Sequence, residues 1–181
     1  VILRRKEDGV EQLWKEAVLS QFGAAIAMLE NAITACPEPL WADERRTPQI
    51  WYLAYHTLFW LDLYLSGSNV GFRPPPPFGL EELDPAGVVP ERPYTKPELL
   101  RYLDHGRRKC RATLSSLTPA RAGRRCRHGW GEATFAELLV YNLRHVQHGA
   151  AQLNLILRQR IDSAPGWVAQ AGAELSGVDE P

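Results

Sequence analysis

Three histidines are the residues of this 181-residue chain whose type and spacing carry the most chemistry. His145 and His148 stand three apart in a stretch of strong helical character, and side chains three apart on a helix share a face. Neutral imidazole is a common metal ligand and suits zinc, nickel, iron or copper. Two histidines on one face supply two corners of a metal site, and a third ligand must come from another helix. His56, set among Tyr52, Leu53, Phe59 and Trp60, is the candidate. Each also has an ordinary explanation. One histidine on an apolar face is more often a hydrogen-bonded core residue than a ligand, and an i, i+3 pair by itself is weak evidence. His105 and His128, in Arg- and Gly-rich surroundings, read as surface residues. Tyr52, Tyr141, Asn142 and Gln152 are near enough to orient the histidines, or simply to cap a polar edge.

Four helical segments must position these residues. The first runs from about Glu11 to about Ala35, where Leu13, Ala17, Phe22, Ile26, Leu29 and Ile33 make a stripe of helical period. Pro37-Glu38-Pro39 stops it. The second starts at Thr47-Pro48, a good N-cap followed by a good first helical residue, and ends at Ser66-Gly67. It is apolar on most sides, the mark of a buried helix or of one packed on two surfaces. A long connection follows, from about Ser68 to Tyr94, with Pro74-Pro75-Pro76-Pro77, Pro85, Pro90 and Pro93. Such a stretch is extended rather than helical, and connections this long are often functional, for example as lids. The third helix opens on the capping box Thr95-Lys-Pro-Glu98 and the fourth on a second one, Thr134-Phe-Ala-Glu137, continuing to about Ile161 before Pro165-Gly166. Between them lies a basic loop with Arg121, Arg124, Arg125 and Arg127. No convincing strand is visible. The expected fold is therefore all-α: a four-helix bundle with a long Pro-rich connection between helices two and three. It forms a single domain over 1–181, with a core over about 11–161 and a tail over 162–181. Bundles build metal and cofactor sites from inward side chains on facing helices.

Composition limits the function. Formal net charge is zero, with 21 basic and 21 acidic residues. That argues against a nucleic-acid-coating protein, which needs an excess of Lys and Arg, and gives no support to an anionic-membrane binder. No apolar run reaches the roughly 18 residues of a membrane span, and the charged start, Val1-Ile-Leu-Arg-Arg-Lys, does not read as a secretion signal. Three cysteines, Cys36, Cys110 and Cys126, without CxxC spacing, read as free thiols in a reducing compartment, so a cytoplasmic location is expected. Cys110 and Cys126 sit among basic residues, which could lower a thiol pKa. Arg107, Arg108, Lys109 and Arg111 read first as a solvated face and second as an anion pocket.

The string Trp51-Tyr-Leu-Ala-Tyr-His56-Thr-Leu-Phe-Trp-Leu-Asp62, followed by Asn142-Leu-Arg-His145-Val-Gln-His148-Gly-Ala-Ala-Gln152-Leu, resembles the DinB-like superfamily of bacterial four-helix bundles. The resemblance covers about Trp14 to about Arg160. It implies a divalent metal, nickel or zinc, held by one histidine of the second helix and an HxxxH pair of the fourth. His56 matches the first ligand and His145 the first member of the pair. The sequence departs at the second member, where Gly149 stands and His148 is its neighbour. Adjacent helical residues differ in direction by about 100°, and glycine in a helix costs about 1 kcal/mol relative to alanine. Gly149 therefore marks either close packing or a decayed site.

Two functions from different classes follow. One is a metal-dependent enzyme of DinB-like type, a hydrolase or thiol S-transferase, acting on a small molecule through His56, His145 and His148. The alternative is a metal-free bundle that works as a binding or interaction module, its ligand set broken at Gly149. The surplus of apolar residues on helix two (Trp51, Tyr55, Leu58, Leu61, Tyr64 and Leu65) also needs a cover. The segment Phe72–Phe78 is one candidate and the second subunit of a homodimer is the other.

Overall fold

Helix boundaries follow local chain chemistry in the computed structural model, which describes the backbone of residues 2–45 and 48–171. α1 (Ile2–Ala35) begins earlier than the apolar stripe suggests and stops before Pro37. The short α2 (Glu38–Trp41) follows, with Pro39 in its first turn, where a missing N–H is harmless. α3 (Ile50–Ser66) has Gln49 at its N-cap with no side-chain cap; Thr47, the expected cap, lies outside the described residues. Gly67, at φ 70°, closes α3 in the left-handed conformation that glycine adopts without steric cost. α4 (Lys96–Ser115) opens on the full Thr95/Glu98 capping box. α5 (Pro119–Ala122) is a single turn. In α6 (Phe135–Ile161), Thr134 accepts from the Glu137 N–H, and Asp162, rather than Pro165-Gly166, ends the helix.

The basic loop is in fact partly a hairpin. β1 (Arg125–His128) pairs antiparallel with β2 (Gly131–Thr134), with Cys126 opposite Ala133. Those two residues are buried, while Arg125 and Arg127 face out and both pair with Glu132. The period-two alternation is present in the sequence, but four residues per strand is too short for it to stand out beside arginines.

The long helices α1, α3, α4 and α6 form the core. α1 and α3 each pack against α4 and α6, so they occupy diagonal corners of the bundle. Two glycines set the approach to α3. A Cβ at Gly106 of α4 would lie 2.8 Å from Leu61 Cδ2, and one at Gly149 of α6 would lie 2.7 Å from Thr57 Cγ2 and closer still to its Oγ1. By length and composition Gly9–Ala35 of α1 could cross a membrane, but 56% of that window is buried in the bundle, as expected of a core helix.

The apolar surplus of α3 is covered within one chain. Trp51, Tyr55, Leu58, Leu61, Tyr64 and Leu65 are all buried. Part of the cover comes from residues 67–95, whose regular structure among described residues is one 3₁₀ turn, Glu81–Leu83. Phe72 meets Phe59 edge-on at 5.5 Å, and Phe78 stacks on Tyr102 at 4.3 Å and on Tyr55 at 6.1 Å. Of the two covers expected for this surface, the segment Phe72–Phe78 is the one seen, and α4 and α6 enclose the rest of α3.

After α6 the chain turns back along α1, where the Ala171 N–H donates to the Ser20 carbonyl and Gln21 Nε2 to the Ala169 carbonyl. The tail from residue 172 lies outside the described residues.

Candidate functional site

The site lies where α3 and α6 meet. His56 of α3 and His145 of α6 bring their ring centroids to 5.4 Å. His148 is exposed, and on the open flank of α6 it lines one pocket with His145, Tyr141, Arg144 and Gln147. The position four after His145, where a partner histidine would stand, is Gly149, and it is pressed against Thr57. The Thr57 hydroxyl donates to the Leu53 carbonyl at 2.7 Å, so this contact is fixed by α3 itself. Gly149 is thus explained by close packing: no side chain fits there without displacing α3 or α6.

A carboxylate that sequence reasoning missed completes the site. Glu82, in the 3₁₀ turn of the connection, has a side chain only 5% exposed. Its Oε2 meets His56 Nδ1 at 2.7 Å and accepts from Trp60 Nε1 at 2.8 Å. Burial raises the pKa of Glu82, but the hydrogen bonds and charge of His56, with bonds from Tyr52 and Trp60, outweigh it and hold the group below its usual value. The carboxylate is therefore ionised at neutral pH. Its second oxygen, Oε1, is buried with no hydrogen-bond partner, and so is His145 Nε2. Burial, aided by His56 and His148 and opposed by Glu82, pulls His145 down to a pKa of about 4, so its imidazole is neutral.

Aromatic rings surround this pair. His56 lies between Tyr52, at 6.5 Å, and Trp60, at 6.2 Å. Tyr64 touches Trp60, Tyr141, His145 and His128. Trp130, at the hairpin tip, stacks on Tyr141 at 4.6 Å, and its Nε1 donates to the Tyr64 hydroxyl at 3.3 Å. His128 is therefore no plain surface residue. It is half-buried against this cluster, burial lowers its pKa, and its Nε2 has no partner.

Other expected site residues are occupied elsewhere. Asn142 is buried and donates to the Leu61 carbonyl at 2.9 Å, tying α6 to α3, and Gln152 is exposed. His105 is not simply a surface residue either, lying 3.4 Å from the buried Asp62. Lys109 bonds Asp62 and Ser66, and Tyr102 donates to Asp62 at 3.2 Å. Lys109 therefore neutralises a buried carboxylate rather than joining a solvated face, while Arg107 pairs with Glu30 and Arg108 with Asp104. Burial pushes the Cys110 thiol up to about 12, against the activating effect expected from its basic neighbours.

The metal implied by resemblance can be tested against this geometry. His56 and His145 offer two imidazoles, but Gly149 stands where the usual third would be, and His148 is exposed. Among the described residues no group of three His, Cys, Asp or Glu is placed to hold a metal ion. The residues present do not fit a three-histidine centre.

The family model for the DinB superfamily matches residues 15–153. No curated protein matches the chain. The matched span contains α3, the connection, the hairpin and the part of α6 that carries the histidines, and on that evidence the chain belongs to the DinB superfamily.

Proposed function

We propose that this bundle binds a small molecule without a resident metal, where α3 and α6 meet beside His56, Trp60 and His145. The observation that carries the reading is the packing of Gly149 on Thr57, which occupies the place of a third histidine. Glu82 Oε1 and His145 Nε2 support it. Buried polar atoms without partners are few in folded proteins, because each costs about 1–3 kcal/mol, and a ligand that satisfied them would recover that cost. The His56 side chain is 40% exposed, so the site is open to solvent at that point.

The second reading is the metal-dependent enzyme, a hydrolase or thiol S-transferase, and the observation in its favour is the 5.4 Å approach of His56 to His145. Calorimetric titration with zinc and with nickel separates the two. The metal-free reading expects no stoichiometric binding that depends on His56. One tight site per chain, lost in both His56→Ala and His145→Ala, would establish the enzyme-type centre instead.

A further inference from the structure

We infer that the ligand of this site is a small organic ammonium ion, R–NH3⁺, with its N–H groups on Glu82 and its carbon chain along the aromatic rings. The inference rests on the binding-module reading and adds the chemistry of what is bound. Glu82 has a nearly fully buried carboxylate whose Oε2 meets His56 Nδ1 and accepts from Trp60 Nε1. Its ion-pair partner is His56, which is charged only when protonated. The other oxygen has no partner. A buried anion is stable only if it is paired and fully hydrogen-bonded, so the missing element is a donor that brings positive charge.

The rings around Glu82 favour the same ligand. Tyr52, His56 and Trp60 lie in sequence along one face of α3, and the Trp60 indole points its N–H at the carboxylate. Aromatic faces attract cations, and Trp does so most strongly. The buried His145 Nε2 has no partner and remains available to a ligand's hydrogen bond. An anionic ligand would meet the Glu82 charge in a poorly solvated setting. A neutral one would leave that charge uncompensated. Arg144, on the exposed flank of α6, is a cationic group that could favour an anion instead, and it makes the anion control informative.

The test is calorimetric titration of the full chain with n-butylammonium, n-butanol and butyrate, three probes of similar shape and different charge. The amine is expected to bind at one site per chain and at least about tenfold more tightly than the other two, the scale of one charge-assisted contact. Glu82→Gln should remove most of that preference, while Glu91→Gln, on the exposed stretch of the same connection, should keep it. Should Glu82→Gln fail to fold, the selectivity among the three probes on the wild-type chain still decides the matter. Tighter or equal binding of butanol or butyrate overturns the ammonium assignment and leaves the binding module standing. No binding of any probe also overturns the assignment. Zinc bound through His56 and His145, with no amine binding, overturns both.

Discussion

His145 shows how far one residue's chemistry departs from what its type suggests. As a histidine in a helix beside His148 it invites a metal, yet its position among Tyr64, His56 and α3 makes it a buried, neutral ring with a pKa of about 4. The consequence for stability has a definite sign. Between about 4 and the unperturbed 6.5 the unfolded chain binds a proton at this residue and the folded chain does not. Stability therefore falls as pH drops through that window, by a term on the order of 3 kcal/mol at its lower end, and is constant with respect to this group above it. Urea unfolding at pH 7 and pH 4.5 should show the loss, and His145→Leu should flatten that part of the profile. An NMR titration placing the His145 midpoint near 6.5 would contradict the burial on which the site is built. His56 and His145 come together because α3 is apolar on most sides and α6 turns an apolar stripe to the core, a pattern legible in the sequence. It could not show Glu82: a carboxylate in a proline-rich connection has no period, and only the folded path of the chain places it beside His56.

At the scale of elements, α3 is the axis of the account, since α4, α6 and the connection all close on it. The Gly149–Thr57 contact is the tightest expression of this. Gly149→Ala should destabilise the fold by about 1–3 kcal/mol, the usual penalty of overpacking, even though alanine is the better helix former. Thr57→Ala should recover part of the loss, and the two changes should couple by at least about 0.5 kcal/mol in a double-mutant cycle of urea unfolding. Gly149→Ala as stable as the parent would mean that the helices are not in close contact there, and a histidine could then be restored at 149. Helix ends at Gly67, Thr95 and Thr134 were legible because caps are local chemistry. The hairpin was not, because its four-residue strands depend on Cys126 and Ala133 finding the core.

For the whole molecule, the all-α core follows from the pattern of four long helices and the family from the strings around His56 and His145, while the apolar surface of α3 does not call for a second subunit. The aromatic surface of α3 is already buried under Phe72, Phe78, α4 and α6. Light scattering at micromolar concentration is expected to give the single-chain mass of 20.4 kDa. A doubled mass would place an interface on another surface, such as the exposed Val10, Leu13 and Trp14 of α1. We propose that this DinB-superfamily bundle has a close helix contact at Gly149 and a metal-free site where the resemblance implies a three-histidine centre. Elemental analysis of the chain, purified without a histidine tag or added metal, tests it most directly. The account predicts far less than one zinc or nickel per chain, with the same trace in His56→Ala; about one metal ion per chain, lost on His56→Ala, would contradict it.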